Sequence, residues 1–446
     1  MLTKGEVENI KLEDLKKVHM IGIASGISSF VATYLLNLGI EITASEINQD
    51  NHVAKEWINK KVLYPGGHDA KYITEDLDLV IFPNGPIPGN PECEKTEKLN
   101  LSVATIGQIL GLISRKFKTI AIAGTHGKTT TSALITWLLY KEFREFPNFV
   151  IGDEILDINK SFNFNSNSEY LVLEACEYKR QFLDRAPKPY ISVITNIELD
   201  HTDYYKDQED YNSAFKEFLI NTEYRIVYDS RGKNVNEVLK DIDIEKIDCS
   251  AIEGMYEEVT AGLFGDYNKE NIIRTCGVAN ILGIFPDIED FPGVSSRFQY
   301  IGKTKNENMV YLDYAHNPKK VKSCLKAAKE KFNDKKIVFI WQPHSIERSL
   351  TFEKDFSESL NDTDIVLIPN IYAPLRERNL YKDKLSDEDF VKFLKDNNPD
   401  KEIKYTRDFK NTVKELSEFN NNHIFIFASA GDLKDIFKLM DINYDR

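Results

Sequence analysis

Short apolar runs alternate with longer amphipathic stretches along most of the sequence. Runs of this length favour buried strands, whereas apolar positions that recur every three or four residues favour helices. The runs that predict strands cover residues 18–24, 40–46, 78–84, 118–124, 170–175, 191–197, 224–230, 309–315, 336–342, 364–370 and 423–430. Helical periodicity follows several of them, for example over 28–39 and 318–332. This alternation predicts mostly parallel sheets that are covered on both faces.

Two interruptions divide the pattern into three modules. One falls at Lys118, where a new strand runs directly into a glycine turn and a long helix, and the other falls at Pro292 and Gly293. We predict an α/β protein with a Rossmann-like domain over 1–117, a central P-loop ATPase-type parallel-sheet domain over 118–293, and a Rossmann-like domain over 294–446. A chain of 446 residues fits this division, because single cores stop growing beyond roughly 250–300 residues.

The charge balance and the cysteines narrow the class of protein. Asp and Glu outnumber Lys and Arg by 71 to 57, which gives a formal net charge of −14. Such a surface repels phosphate backbones, so nucleic acid is not an expected partner. No apolar run approaches the roughly 20 residues that span a bilayer, and the charged N-terminus lacks the apolar core of a signal peptide. Together with five scattered cysteines, these features predict a cytoplasmic protein without membrane insertion.

A glycine-rich turn between a predicted strand and a predicted helix carries the strongest local signal. It consists of Gly124, Thr125, His126, Gly127, Lys128, Thr129 and Thr130. The glycines permit a tight turn whose N–H groups face an anion at the start of the helix. Lys128 then places its charge on the β- and γ-phosphates of a nucleotide, and the Thr129 hydroxyl can coordinate Mg²⁺. Ile122 stands where the general pattern has a glycine, so the turn is a shortened phosphate loop.

Two further strand ends carry an acidic residue and a histidine. Glu174 closes one predicted strand, and His201 follows the next one along the chain. The carboxyl ends of parallel strands meet at one edge of a sheet, so both side chains are expected beside the phosphate loop. Glu174 could hold Mg²⁺ through its carboxylate, with His201 as a ligand of the same or a second ion. The alternative for an acidic strand end is a helix cap or a solvated charge, which suits Asp200 well.

Seven motifs lie in a fixed order between residues 124 and 348. They are GTHGKTTT (124–131), EACEYKRQFL (174–183), TNIELDH (195–201), GLFGDYNKENI (262–272), SSRF (295–298), DYAHNP (313–318) and QPHSIER (342–348). In sequence and order they resemble the motifs of the Mur ligases, ATP-dependent amide-forming enzymes of cell-wall precursor synthesis. The second and third motifs look like those of the branch that adds L-alanine to UDP-N-acetylmuramate. Phe215 stands where many relatives carry a carbamylated lysine, a loss that is shared with this branch.

The resemblance implies a role for each matching residue. Lys128 and Thr129 would bind ATP phosphate and Mg²⁺, while Glu174 and His201 would hold a second metal ion. Asn268 and Asn271 would contact adenine, Arg297 the γ-phosphate, Asp313 the ribose and His316 the transferred phosphate. His344 and Arg348 would contact the amino acid or the acyl group. The residues implied to contact the UDP-linked precursor are Gly22, Gly26, His68 and Asn90. Helix capping is the alternative for Asn268 and Asn271, and a buried, hydrogen-bonded imidazole is the alternative for His344.

The same resemblance implies an ADP-forming ligase that joins a free amino acid to the carboxylate of a UDP-linked precursor. Phosphoryl transfer converts the carboxylate into an acyl phosphate, and amine attack then expels phosphate, so no side-chain nucleophile is needed. The sequence departs from the family where one glycine is missing from the turn over 22–29 and where Tyr267 replaces a usual histidine. An archaeal pseudomurein peptide ligase, a peptide-recycling ligase and an inactive nucleotide-binding regulator stay open as alternatives, as does the oligomeric state.

Overall fold

The computed structural model of the chain describes residues 6–7, 9–373, 375–381 and 384–444. The strands are β1 (Lys17–Ile21), β2 (Glu41–Ser45), β3 (Leu79–Phe82), β4 (Val103–Thr105), β5 (Lys118–Ala123), β6 (Asn148–Ile155), β7 (Lys160–Asn163), β8 (Tyr170–Glu174), β9 (Ile191–Ile194), β10 (Arg225–Tyr228), β11 (Glu245–Asp248), β12 (Gln299–Thr304), β13 (Met309–Asp313), β14 (Lys336–Trp341), β15 (Ile365–Ile368), β16 (Glu402–Tyr405), β17 (His423–Ala428) and β18 (Ile442–Asn443).

The helices lie mostly between these strands. They are α1 (Gly26–Asn37), α2 (His52–Asn59), α3 (Pro91–Lys98), α4 (Ile106–Ser114), α5 (Lys128–Phe143), α6 (Gln181–Arg185), α7 (Gln208–Leu219), α8 (Val235–Leu239), α9 (Cys249–Ile252), α10 (Asp266–Leu282), α11 (Pro318–Lys331), α12 (Ile346–Thr351), α13 (Glu353–Ser359), α14 (Leu375–Tyr381), α15 (Asp387–Asn397) and α16 (Phe409–Ser417). Short 3₁₀ turns supplement them, among them Tyr178–Arg180 after β8.

The strands form three sheets that follow one another along the chain. The first is parallel with the order β2-β1-β3-β4. The second has the order β11-β10-β9-β5-β8-β6-β7 and is parallel except where β6 and β7 pair as a hairpin. The third has the order β16-β15-β14-β17-β13-β12-β18, in which β12 runs antiparallel to both of its neighbours. The predicted mostly parallel α/β class is therefore what the chain adopts.

The described residues divide into two compact units. The first contains the residues up to Gly262 together with Glu270–Pro292, and so it holds the first two sheets. The second contains Leu263–Lys269 and the residues from Gly293 onward, including the third sheet. This division does not separate the first two sheets, so the three domain ranges proposed from the sequence stay predictions.

Strand β5 gives the second sheet its rigid centre. It lies between β8 and β9, and its residues from Thr119 to Ala123 are all buried. Burial of a side chain such as Ile120 or Ile122 stabilises the fold by ~1.5–3 kcal/mol. The carboxyl ends of β5, β8 and β9 are adjacent, so the loops that follow these three strands start from one firmly held edge.

Most predicted strands end earlier in the structure than the apolar runs do. The run over 18–24, for example, yields a strand that stops at Ile21, because Gly22 turns the backbone with a φ of 85°. Similarly, β9 stops at Ile194, and the next residues form a loop against the phosphate loop. The hairpin of β6 and β7 and the antiparallel strand β12 were not predicted. In the described part of the chain, no helix combines the length and the apolar character needed to cross a bilayer.

Candidate functional site

The phosphate loop connects β5 to α5, as the sequence predicts, and both of its glycines are required. Gly124 has a φ of 138°, and a β-carbon there would overlap the Thr195 hydroxyl. Gly127 has a φ of 83°, and its β-carbon would lie 2.5 Å from Asn271 Oδ1. Residues with a side chain rarely adopt such φ values, so the turn depends on glycine at both positions.

The loop that follows β9 forms hydrogen bonds with Thr125 and His126, in the middle of the phosphate loop. Asn196 Oδ1 accepts a hydrogen bond from the His126 N–H at 2.9 Å, and Asn196 Nδ2 donates to the His126 carbonyl at 3.1 Å. The Thr125 hydroxyl donates to the Glu198 carbonyl at 2.8 Å and lies 3.0 Å from the Tyr211 hydroxyl. These contacts fix the backbone of Thr125 and His126 before any ligand is present.

Lys128 lies at the start of α5 and is held by a carboxylate that sequence reasoning did not select. Its Nζ atom is 2.9 Å from Glu177 Oε2 and donates to the Gly124 and Thr125 carbonyls at 2.5 and 3.2 Å. Glu177 is only 1% exposed. Burial alone would raise the pKa of Glu177, but the charge of Lys128 and hydrogen bonds from His201 and Lys128 lower it to about 2. The pKa of Lys128 is raised, because the nearby Glu177 outweighs the effect of its burial.

Glu174 and Thr129 form the part of the site that suits a metal ion. The Thr129 hydroxyl donates to Glu174 Oε1 at 3.1 Å, and the Gly152 N–H donates to Oε2 at 2.6 Å. A β-carbon at residue 152 would lie 2.7 Å from Oε2 and 3.0 Å from Thr129 Oγ1, so the carboxylate fits only against a glycine. A hydroxyl and a carboxylate are oxygen ligands of the kind that Mg²⁺ prefers.

No cluster of three or more His, Cys, Asp and Glu side chains suitable for a metal occurs among the described residues. Mg²⁺ is usually bound through one or two protein ligands together with waters and substrate phosphates. The adjacent oxygens of Thr129 and Glu174 fit one such ion, and the second ion implied by the family resemblance, held by Glu174 and His201, stays a prediction.

His201 lies on the other side of Glu177 rather than in direct contact with Glu174. Its Nε2 atom is 3.5 Å from Glu177 Oε1, and its ring packs against Tyr178 with centroids 4.6 Å apart. The backbone of His201 has a φ of 54°, in the left-handed region. Glu177 thus touches both Lys128 and His201, while its own backbone carbonyl accepts a hydrogen bond from the Tyr205 hydroxyl at 2.5 Å.

The two asparagines predicted near adenine fall in different compact units. Asn271, on the part of α10 that belongs to the first unit, accepts a hydrogen bond from the Thr131 hydroxyl at 3.1 Å and lies beside Gly127. It therefore borders the phosphate loop. Thr130 is buried in the first turn of α5. Asn268 belongs to the second unit, where its Nδ2 atom donates to the Phe264 carbonyl at 2.8 Å.

Arg297, Asp313 and His316 gather at the carboxyl end of β13 in the second unit. The guanidinium of Arg297 lies over the Tyr314 ring at 4.7 Å, and the His316 ring packs against the same tyrosine at 4.8 Å. Asp313 Oδ2 accepts a hydrogen bond from the Phe298 N–H at 2.8 Å, and burial raises the pKa of Asp313. His316 Nδ1 donates to the Tyr314 carbonyl at 2.8 Å, and burial lowers the pKa of His316, so its ring is neutral with Nε2 as an acceptor.

His344 and Arg348 follow β14 and extend this second cluster. The His344 ring stacks on Tyr372 at 5.3 Å and lies 6.3 Å from the His316 ring. Its Nδ1 atom is buried and has no hydrogen-bond partner within the described chain. Burial and the charge of Arg348 lower the pKa of His344. Arg348 lies in the first turn of α12, where its N–H donates to the hydroxyl of the capping residue Ser345 at 3.3 Å.

The residues predicted to bind the UDP-linked precursor lie along the first sheet. Gly22 begins the turn after β1, and the next two N–H groups, of Ile23 and Ala24, donate to Glu46 Oε2 at 3.3 and 3.2 Å. A carboxylate therefore occupies part of the turn that the family resemblance assigns to the precursor. Gly26 packs closely against Ser161, because a β-carbon there would lie 2.7 Å from Ser161 Oγ and the hydroxyl would have to move.

Asn90 and His68 lie near the carboxyl end of β2. Asn90 Oδ1 accepts hydrogen bonds from the N–H groups of Glu92 and Cys93 at 2.8 and 3.1 Å, which caps α3. His68 Nδ1 lies 2.7 Å from the hydroxyl of Ser45, the last residue of β2. Asn90 thus has a structural role of its own, whereas His68 places its ring at the edge of the sheet.

Comparison with known proteins identifies the family. The Mur ligase middle domain matches residues 122–261, and the Mur ligase, glutamate ligase domain matches residues 296–431. UDP-N-acetylmuramate–L-alanine ligase from Clostridium perfringens is 32% identical over 402 residues, which cover 83% of this chain and 86% of that protein. The chain belongs to the Mur ligase family.

Two further comparisons extend over nearly the whole length of this Mur ligase. UDP-N-acetylmuramate–L-alanine ligase from Caldanaerobacter subterraneus is 30% identical and covers 96% of this chain and 97% of its own. The crystal structure of UDP-N-acetylmuramate–alanine ligase from Thermotoga maritima matches with a TM-score of 0.73 at 22% identity, over 95% of this chain and 97% of that one. The predicted three-domain α/β fold and the predicted class, an ATP-dependent ligase, are confirmed.

Three residues of the Mur ligase site were missed in the sequence. Glu177 holds Lys128, Asn196 holds the phosphate loop, and Gly152 makes room for Glu174. Glu177 and Asn196 lie within recognised motifs, so a second carboxylate and an amide next to matched residues were the available signals. An isolated glycine inside an apolar strand run was the signal for Gly152, since it indicates a close approach of another group.

Proposed function

We propose that this Mur ligase joins L-alanine to the carboxylate of UDP-N-acetylmuramate while it converts ATP to ADP and phosphate, in the cytoplasm. One observation carries the proposal of phosphoryl chemistry. The Lys128 ammonium and the Thr129 hydroxyl stand at the start of one helix, each beside its own carboxylate, Glu177 and Glu174. Relatives that are named for this reaction and share 30–32% of residues over most of the chain support the choice of substrates.

The first step is transfer of the γ-phosphoryl group. A carboxylate oxygen of the acceptor attacks the γ-phosphorus, the bond from that phosphorus to the bridging oxygen of ADP breaks, and an acyl phosphate forms. Lys128 offsets the negative charge on the phosphate oxygens, and the N–H groups at the start of α5 can hold them through hydrogen bonds. Bound Mg²⁺, held by Thr129 and Glu174, would supply additional neutralisation of phosphate charge.

The second step is attack of the amine on the acyl phosphate. The neutral amino group of the amino acid adds to the carbonyl carbon, and the resulting tetrahedral species loses phosphate and a proton to give the amide. Positioning of the two reactants supplies most of the acceleration in such a step. In the second unit, Nε2 of the neutral His316 ring is a hydrogen-bond acceptor, suited to the N–H of an amino group rather than to phosphate oxygens.

One observation favours a second candidate in which the acceptor differs. The N–H groups of Ile23 and Ala24, in the turn expected to meet the UDP moiety, already bond to Glu46. A pseudomurein-type UDP-linked precursor would then be the acceptor, with the same phosphoryl chemistry. Both alternatives predict ADP formation, so only product analysis separates them.

The test is phosphate release combined with mass spectrometry of the products. The protein is incubated with ATP and Mg²⁺ in a matrix of UDP-linked acceptors and amino acids, with a tripeptide included as a recycling substrate. We expect phosphate release that requires both UDP-N-acetylmuramate and L-alanine, and a product heavier by one alanine residue. A product from another pair assigns one of the alternative ligases. Lack of phosphate release with every pair would contradict the proposal and favour a nucleotide-binding regulator.

A further inference from the structure

A buried chain of hydrogen bonds connects Glu92, on α3, to the ring of His68. The Ser45 hydroxyl donates to Glu92 Oε2 at 2.6 Å, and His68 Nδ1 lies 2.7 Å from the same hydroxyl oxygen. Glu92 and Ser45 are completely buried, whereas the His68 side chain is 11% exposed. This series of hydrogen bonds therefore leads from the interior of the first sheet to its edge.

The order of donors and acceptors in this chain follows from the charge on Glu92. Burial raises the pKa of Glu92, but the nearby His19 ring and hydrogen bonds from the Ser45 hydroxyl and the Asp69 N–H outweigh burial and lower it, so the carboxylate is ionised at neutral pH. An ionised carboxylate accepts hydrogen bonds only, so the hydroxyl proton of Ser45 points at Glu92. The Ser45 oxygen is then free to accept, and His68 must donate to it from Nδ1.

A neutral His68 ring in this arrangement carries its proton on Nδ1. In a neutral imidazole the other nitrogen carries a lone pair, so Nε2 is a hydrogen-bond acceptor. Nε2 has no hydrogen-bond partner among the described residues, and the atom is not fully buried. It is an acceptor available to a ligand at the carboxyl edge of a parallel sheet, where ligands of such folds bind.

His19 also lies beside Glu92, but neither of its ring nitrogens is available to a ligand. Its Nε2 atom lies 3.5 Å from Glu92 Oε2, its Nδ1 atom is 2.8 Å from the Thr43 hydroxyl, and the residue is completely buried. Two imidazoles thus flank one carboxylate, but only His68 reaches the surface.

We propose that Glu92 is a positioning residue which, through Ser45, fixes His68 so that its Nε2 atom accepts a hydrogen bond from an N–H or O–H group of the UDP-linked acceptor. The inference rests on the proposed function in one respect, namely that the ligand carries a uracil nucleotide. Two groups of such a ligand share the required chemistry, the imide N–H of the uracil ring and the sugar hydroxyls. A protonated His68 or the opposite tautomer would present a donor instead, which cannot pair with the imide N–H and can meet a sugar hydroxyl only as its acceptor.

The first measurement is the tautomer itself, read from the ring nitrogens of ¹⁵N-histidine-labelled full-length protein without ligand. We expect His68, assigned by comparison with His68→Gln, to show a protonated Nδ1 and an unprotonated Nε2. In Glu92→Gln the amide can donate to Ser45 and reverse the hydroxyl, so we expect a mixture of tautomers. Ser45→Ala provides a second variant if Glu92→Gln does not fold. Glu94→Gln, an exposed carboxylate on the same helix, is the matched control and should leave the spectrum unchanged.

The second measurement identifies the donor on the ligand. Addition of UDP should shift the His68 Nε2 signal, and 3-methyl-UDP, which lacks the imide N–H, should fail to shift it if the base is the donor. A shift with both ligands assigns the contact to the sugar hydroxyls. In steady-state assays, Glu92→Gln and Ser45→Ala should raise KM for the acceptor about fivefold, the usual effect of losing one hydrogen bond, with kcat and KM for ATP unchanged.

The outcomes separate this inference from the proposed function. A wild-type His68 protonated at Nε2, a tautomer that is the same in wild type, Glu92→Gln and Ser45→Ala, or no response to UDP would each overturn the inference, whether or not the enzyme ligates alanine. Absence of ligation with UDP-N-acetylmuramate and L-alanine would overturn the proposed function, whereas the nitrogen spectra need no turnover and retain their meaning.

Discussion

The ammonium of Lys128 and the carboxylate of Glu177 form a buried ion pair, with Nζ 2.9 Å from Oε2. Their side chains are 12% and 2% exposed, so neither charge is well solvated. The phosphate-loop lysine is therefore held in place by a group on the loop that follows β8, and not by the phosphate loop alone. The same carboxylate also faces His201. Charged and polar groups that follow β5, β8 and β9 therefore interact with one another.

Lys128→Ala should abolish phosphate release and also lower the melting temperature. Removal of one partner leaves the Glu177 carboxylate buried without a counter-charge, a change that typically costs about 3–5 kcal/mol. The double variant Lys128→Ala/Glu177→Gln should regain most of the lost stability and still lack activity. Calorimetry and a coupled phosphate assay would check both statements. Equal stability of the single and double variants would show that the pair is not energetically coupled.

Glu174→Gln should raise the Mg²⁺ concentration required for half-maximal activity by at least tenfold, or stop turnover. The substitution keeps the size of the side chain and removes the charge that attracts the cation. Mg²⁺ titrations of the phosphate-release rate would measure the effect. Glu169→Gln is a suitable control, because Glu169 is an exposed carboxylate one residue before the same strand. If the titration curve of Glu174→Gln matched that of the control, Glu174 would be a structural residue only.

The sequence predicts the parts of the site that depend on local order along the chain. Lys128 and Glu174 follow from a strand, a turn and a helix, because parallel strands bring such ends to one edge whatever the rest of the fold does. The partner of Lys128 does not follow in this way. It depends on the 3₁₀ turn after β8, in which Lys179 and Arg180 take φ values of 52° and 56°, and no residue pattern predicts those angles.

The same distinction applies to the first sheet. Strands β1, β2 and β3 were accessible from apolar runs and His68 from a motif match, whereas β4 was not predicted and the role of Asn90 as a helix cap depends on where α3 begins. The hydrogen-bond chain through Glu92 joins residues that are 47 and 23 positions apart, so only the folded chain reveals it. Interactions between residues distant in sequence are what the local pattern could not supply.

Glu92 should make the stability of the protein sensitive to acid. The pKa of Glu92 in the folded state lies below its ordinary value of 4.5, so its contribution is complete above about pH 4.5 and is lost as the pH falls through the lowered pKa. The difference in unfolding free energy between wild type and Glu92→Gln should therefore be largest near pH 7 and shrink below pH 4.5. Urea titrations at several pH values measure this difference. A difference that stays constant from pH 7 to the acid range would contradict the ionised state of Glu92.

Gly152→Ala should impair Mg²⁺-dependent turnover while leaving the fold almost unchanged. The added methyl group would lie 2.7 Å from Glu174 Oε2 and 3.0 Å from Thr129 Oγ1, so the carboxylate must move away from the hydroxyl. Residue 152 is exposed and its backbone does not need a positive φ, so the substitution creates no buried overlap and no backbone strain. We expect a weaker response to Mg²⁺, as in Glu174→Gln, with a melting temperature within a few degrees of wild type. Gly254→Ala is the matched control, because a β-carbon there meets nothing within 4 Å. If Gly152→Ala retained the wild-type Mg²⁺ titration, the close contact between β6 and Glu174 would have no part in holding the ion.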